Sequence, residues 1–115
     1  MSGGTEVTVV VSDCAEDDAR TVLTALGETF TPDRAPSARS GGRATVWSST
    51  FDVAHPKEHA AHAVPLEHPV TVTAQGGYGA VDRVVAELGT VFAIDAQGSA
   101  AGDQEKDVHL RLHGR

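Results

Sequence analysis

Hydrophobic and polar residues follow the same succession twice along this chain: an alternating run, a stretch with helical spacing, a glycine, and further strand-like sequence. In residues 5–11 the valines Val7, Val9 and Val11 alternate with other residues and share one face, which predicts a first strand. Apolar residues then recur at helical spacing as far as Leu26, and Gly27 follows as a predicted C-cap. The pattern therefore predicts a strand followed by a helix.

The second occurrence begins with residues 69–74, which alternate cleanly and predict a strand. A glycine-rich turn leads from it into a helix that carries one apolar stripe and ends at Gly89. Between the two occurrences, residues 43–53 predict a long strand whose apolar side includes Trp47 and Phe51, so both are expected in the core. Residues 92–96 and 108–112 predict a fourth and a fifth strand.

The predicted order is βαββαβ with one additional C-terminal strand, which is an α+β fold. This order resembles the ferredoxin-like split βαβ arrangement, a two-layer sandwich in which two helices cover one face of an antiparallel sheet. The resemblance implies that the first and third strands are central. It also places the fifth strand beside the fourth, at the edge of the sheet.

The chain is expected to form a single domain over residues 5–113, preceded by a disordered N-terminus at residues 1–4. Residues 31–42 mix proline, serine, glycine and arginine without periodicity, which predicts an exposed loop. Residues 54–68 form a histidine-rich connection, and the polar residues 97–106 are predicted to be a hairpin loop.

One face of the predicted sheet is left without helices and is the first candidate for function. It is too apolar for a purely solvated surface, and such patches often mark partner contacts. Scattered valines on a sheet face are also common without any function, and that alternative stays open. The residues predicted to form an interface, with a second copy in a homodimer or with another protein, are Val10, Val46, Thr71, Val91 and Ala93.

Sixteen acidic against nine basic residues give a formal charge of −7, which disfavours nucleic acid and anionic membranes as partners. The acids Glu16, Asp17 and Asp18 support an alternative function, that of an inhibitor or immunity-type protein for a basic partner. The chain shows no charged and apolar leader, and the single cysteine, Cys14, excludes an intramolecular disulfide. A cytoplasmic location is therefore expected.

Four of the six histidines lie between the second and third predicted strands, and they suggest a metal site. His55, His59, His62 and His68 could bind a divalent ion such as zinc, with the first three on one side of a short helix. Pro65 would limit that helix to two turns, so a solvated histidine-rich loop is the preferred interpretation and no cofactor is expected. Protonation of the histidines would also reduce the negative charge in mild acid, which leaves proton sensing open.

Two further features of the sequence are candidate ligand sites. Cys14 lies where heavy-metal-associated domains of ferredoxin-like fold carry a CxxC pair, but Asp17 occupies the second position, so copper binding is not implied. The glycines of the second strand-to-helix turn, Gly76, Gly77 and Gly79, could hold a small ligand through free N–H groups. Tight turning of the chain is the preferred explanation for them.

Enzyme signatures are missing from the sequence: it contains no GxSxG motif, no P-loop and no HExxH pair. The sequence therefore predicts a small acidic binding or regulatory module that acts through protein contacts and is not an enzyme.

Overall fold

The computed structural model describes residues 5–12, 14–32, 37–38, 46–54, 65–102 and 105–114 of the 115-residue chain. Within these residues, seven strands form one open antiparallel sheet and two helices pack on it. The elements are β1 (Glu6–Ser12), α1 (Glu16–Thr29), β2 (Thr31–Pro32), β3 (Ser37–Ala38), β4 (Val46–Asp52), β5 (Val70–Gly77), α2 (Tyr78–Val91), β6 (Ala93–Ala101) and β7 (Glu105–His113).

The strands are arranged in the order β2-β4-β1-β5-β7-β6, and β3 also pairs with β4. The α+β class is confirmed, as are the central places of β1 and β5, but the ferredoxin-like order is wrong. A crossover helix returns the chain parallel to the strand it left, and the returning strands here, β2 and β6, lie at the two edges of the sheet. The last strand of each half of the chain, β4 or β7, is inserted between that edge and the first strand, β1 or β5.

The repeated sequence pattern corresponds to two structural halves, β1 to β4 with α1 and β5 to β7 with α2. In each half a strand leads into a helix of 14 residues, the chain then forms edge strands (β2 and β3, or β6), and the last strand of the half, β4 or β7, pairs antiparallel with them and with the first strand. Both helices are followed by a phenylalanine C-cap, Phe30 or Phe92, whose N–H donates to the carbonyl of Leu26 or Leu88 at 2.8 Å. The halves join where β1 and β5 run antiparallel.

Both helices extend beyond the glycines that were predicted to end them. Gly27 and Gly89 lie inside α1 and α2, and the C-cap residues Phe30 and Phe92 have extended backbones with φ of −113° and −129°. The predicted glycine C-caps are wrong because the apolar stripe of each helix continues into a buried phenylalanine, which keeps the last turn packed on the sheet. The N-cap of α1 is Ala15, without a side-chain hydrogen bond.

The core lies between the sheet and the helices and contains Trp47 and Phe51, as predicted. Side chains alternate along each strand, so the buried positions all belong to the face that the helices cover. The largest buried side chains are Phe51, Phe92, Leu26, Leu88, Leu110 and Leu112, with Val7, Val9, Val11, Val22, Val53 and Val70.

Two of the predicted connections contain strand residues in the structure. Residues 31–42 include β2 and β3, which pair with β4 at a sheet edge, so that segment is not simply a loop. Residues 97–106 include the end of β6 and the start of β7, and the N–H of Gly102 donates to the carbonyl of Glu105 at 2.8 Å. Residues 1–4 and 55–64 lie outside the described residues.

In the part of the chain that the structure describes, neither helix is long and apolar enough to cross a lipid bilayer.

Candidate binding face

The side of the sheet opposite α1 and α2 is called the open face here. Paired residues of neighbouring antiparallel strands point to the same side, so the strand register shows which side chains share this face. They are Glu6, Thr8, Val10 and Ser12 of β1, Val46, Ser48, Thr50 and Asp52 of β4, Thr71, Thr73, Gln75 and Gly77 of β5, Ala93, Asp95, Gly98 and Ala100 of β6, and Glu105, Asp107, His109, Arg111 and His113 of β7.

Four of the five predicted interface residues lie on the open face. Val10, Val46, Thr71 and Ala93 are all half-buried there. They do not form one contiguous patch, because Val46 on β4 and Ala93 on β6 are four strands apart, or about 19 Å at ordinary strand spacing. Val10 lies at the centre of the sheet.

Val91 is not on the open face, and its predicted place there is wrong. It is the last residue of α2 and is only 3% exposed. The error follows from the position of the helix end: α2 continues past Gly89, so the following strand begins at Ala93 and not at Val91. Val91 is therefore part of the core between α2 and the sheet.

Hydrogen bonds between neighbouring strands order the open face. The hydroxyls of Thr8 and Thr50 lie 3.2 Å apart, and the hydroxyl of Thr73 lies 3.1 Å from Nδ1 of His109. The guanidinium of Arg111 donates to the Thr71 hydroxyl at 2.9 Å. Such cross-strand pairs stabilise a sheet and restrict its side chains, so a partner would meet a preorganised surface.

The charges on the open face are unevenly distributed along the strands. Glu6 pairs with Asp52 across β1 and β4, and Glu105 and Asp107 lie toward the same end of β7. At the opposite end, β7 carries Arg111 and His113, and Nε2 of His113 lies 2.8 Å from the Asp95 carboxylate. The face thus has an acidic end and an end that carries its basic residues. Sequence analysis missed this, although the alternation of residues 105, 107, 109, 111 and 113 contains the signal.

The open face contains one arrangement that resembles a nucleophile and a base, the Thr73 hydroxyl beside His109. It lies on a sheet surface, whereas the described cavities are on the helix side. One, of about 330 Å³, is lined by Thr29, Phe30 and residues of α2, and the other, of about 160 Å³, by Thr5, Val53 and residues of α2. Because small-molecule sites are concave, the open face suits a broad partner better than a small substrate.

The glycines predicted as a ligand site have separate roles in the structure. A Cβ at Gly76 would lie 2.5 Å from the backbone oxygen of Glu6, so this glycine permits the close approach of β1 and β5. Gly77 is the N-cap of α2, and Gly79 lies in its first turn beside the smaller cavity, where Arg83 donates to the carbonyl of Val53 at 2.9 Å. Close strand packing explains Gly76, and small-ligand binding stays a prediction.

The histidine segment is only partly described. His55, His59 and His62 lie outside the described residues, so the predicted metal site stays a prediction. His68 is described: its backbone N–H donates to Asp18 at 3.2 Å, and its side chain is 73% exposed. Among the residues that the structure describes, no three His, Cys, Asp or Glu side chains are grouped to hold a metal ion.

The acidic first turn of α1 exposes two of the three acids predicted to meet a basic partner, Glu16 and Asp17, and the inhibitor function stays a prediction. Asp18 is 3% exposed and accepts hydrogen bonds from the N–H groups of Glu67 at 3.0 Å and His68 at 3.2 Å. Glu16 forms an ion pair with Arg20 at 2.9 Å. Asp18 therefore holds residues 67–68 against the helix, and its predicted place on an exposed acidic surface is wrong.

Comparison with protein-family models, with curated proteins and with solved structures finds no match to this chain.

Proposed function

We propose that this chain is a small non-enzymatic binding module, of regulatory or accessory type, that self-associates through its open face. The observation that carries the proposal is that both helices pack on one side of the sheet. Every helix described thus lies on the side away from Val10, Val46 and Thr71. A sheet face that bears half-buried valines and ordered threonines is suited to contact with another sheet.

The size of the open face supports a protein partner. Six strand positions about 4.8 Å apart, with strands of about seven residues at about 3.3 Å each, give a face of roughly 650 Å². A standard protein interface buries about 800 Å² on each partner, so one further chain could cover most of this face. Two sheets pack face to face about 10 Å apart, which short side chains such as Thr, Ser and Val allow.

The side chains of the open face also disfavour the other partner classes. Its residues include acids at one end, and the whole chain has a formal charge of −7, which repels phosphate backbones and anionic lipid. The described strands place no aromatic side chain on this face, as base stacking would require. A second copy of the chain fits the surface better than nucleic acid or a membrane.

The proposal is tested by placing charge in the middle of the open face. The double variant Val10→Lys and Val46→Lys should be monomeric, whereas the parent should show a concentration-dependent dimer by sedimentation or light scattering. The matched control is Thr24→Lys with Ala86→Lys, which adds the same charge to exposed positions of α1 and α2. The control should retain the parent's mass.

Circular dichroism of each variant establishes that the monomeric form is folded. A parent that stays monomeric at all concentrations, or an open-face variant with the parent's mass, would refute self-association through this face.

A further inference from the structure

A row of paired residues crosses the middle of the open face, from strand to strand. Val10 pairs with Ser48 on one side and with Thr73 on the other, and His109 pairs with both Thr73 and Gly98. We call this row the central row; it comprises Ser48, Val10, Thr73, His109 and Gly98. The acidic end and the basic end of the open face lie on opposite sides of it.

The division of charge discriminates between two ways of placing a second copy on this face. A twofold axis parallel to the strands would put the acidic end of each copy over the acidic end of the other. That arrangement would bring the acidic ends of the two copies, which carry Glu6, Asp52 and Asp107, over each other, and like charges that meet across an interface are unfavourable. An axis perpendicular to the strands instead puts the acidic end of β7 over Arg111 and His113 of β7 of the second copy.

We infer that two copies of this chain dock open face to open face about a twofold axis along the central row, with β7 antiparallel to β7 of the second copy. The inference rests on the self-association proposed above. His109 lies on the axis, and the residues on either side of it exchange places. Asp107 therefore lies opposite Arg111 of the second copy, and Glu105 lies opposite His113 of the second copy.

The local structure of β7 favours this arrangement. Arg111 is half-buried and its guanidinium is positioned by Thr71 at 2.9 Å, which reduces the ordering cost of a new ion pair. Asp107 is also half-buried and lies on the same face of β7, with His109 between it and Arg111. Because the axis repeats each contact, the two copies would form two Asp107–Arg111 pairs.

The test uses two charge-reversal variants. In the inferred dimer, each variant would repel a second copy of itself, whereas the two variants would attract each other. Asp107→Arg alone would face Arg111 of its own second copy, and Arg111→Asp alone would face Asp107. Each variant should weaken self-association at least tenfold in Kd. An equimolar mixture of the two variants pairs opposite charges at every contact, so it should associate at least as tightly as the parent.

Matched controls carry the same change of charge on α1, away from the open face. Asp17→Arg and Arg20→Asp are exposed there, and both should keep the parent's Kd. Asp107→Arg makes the chain less negative, and the reduced self-repulsion would by itself strengthen association. Weaker association of this variant would therefore come from the local contact with Arg111. Thermal melting of each variant checks that it is folded.

A second mixture tests the same arrangement with different residues. Glu105→Arg and His113→Asp should each associate more weakly than the parent and should recover affinity when mixed. If Arg111→Asp disturbs folding because its contact with Thr71 is lost, the variants Glu105→Arg and His113→Asp still test the arrangement.

The outcomes separate the inference from the proposed function. A dimer that is lost in the Val10→Lys and Val46→Lys variant, but whose Kd is unchanged in all the charge variants, overturns the orientation and leaves self-association standing. Mixtures no tighter than their separate components also overturn the orientation. A monomeric parent overturns both.

Discussion

Gly76→Ala should destabilise the protein by disturbing the pairing of its two central strands. The new Cβ would lie 2.5 Å from the backbone oxygen of Glu6 and 3.3 Å from Cα of Val7, and a contact below 3.0 Å requires a shift of about 0.5 Å. Neither atom belongs to a flexible side chain, and β1 and β5 are each paired on both sides. The strands therefore have little freedom to separate.

The size of the effect follows from two opposing terms. Overpacking costs about 1–3 kcal/mol, and the backbone contact at Gly76 places this site near the upper end. Alanine restricts the unfolded chain and returns about 0.5–1 kcal/mol, so the free energy of unfolding should fall by about 2 kcal/mol. With an m-value near 2 kcal/mol/M, the urea midpoint followed by circular dichroism should fall by about 1 M.

Gly79→Ala is the matched control because it makes the same chemical change three residues later. A Cβ at Gly79 would have nothing within 4 Å, and the residue lies in α2, where alanine is favoured by about 0.5–1 kcal/mol. The two substitutions should thus move the midpoint in opposite directions. A midpoint for Gly76→Ala equal to or above that of the parent would refute the packing argument.

Three further substitutions test the role of α1. Asp18→Ala should lower the free energy of unfolding by about 1.5–3 kcal/mol, because two part-buried hydrogen bonds from backbone N–H groups to a charged acceptor are lost. Asp17→Ala, at an exposed site, should have little effect, and equal urea midpoints for the two variants would contradict this role of Asp18. Leu23→Ala should lower the free energy of unfolding by about 2–5 kcal/mol because Leu23 is only 3% exposed. Thr24→Ala is the control at an exposed site, and a melting temperature of Leu23→Ala equal to that of the parent would show that Leu23 is not packed. Gly27→Ala should raise the free energy of unfolding by about 0.5–1 kcal/mol, since a Cβ there has open space and the helix favours alanine. A free energy of unfolding below that of the parent would indicate that the backbone at this position requires glycine.

Long periodic segments of this chain could be predicted from the sequence, and short or non-periodic ones could not. The strands β1, β4, β5 and β7 and both helices follow directly from apolar spacing. The strands β2 and β3 have two residues each, which is too short for any period to appear. Their absence from the prediction hid the extra reversal of the chain before β4, which was therefore misplaced in the sheet. The last strand, β7, was predicted, but it was placed at the edge of the sheet and not between β5 and β6.

The functional residues were predicted where they depend on local alternation and missed where they depend on distant partners. Val10, Val46, Thr71 and Ala93 were placed on the open face from strand parity alone, while Val91 failed because the end of α2 lay two residues later than the glycine indicated. Asp18 has the spacing of an ordinary acid in a first helical turn. It is buried because Glu67 and His68, far away in sequence, approach it in the folded chain.

The antiparallel junction between β1 and β5 divides the molecule into two nearly equivalent pieces. A cut in the backbone between Ala54 and Pro65 would leave each fragment with its own helix and its own strands, β1 to β4 in one fragment and β5 to β7 in the other. Each fragment would also expose one long unpaired strand, which is a natural template for strand addition. The two fragments should therefore be able to recognise each other and rebuild the sheet without a covalent link.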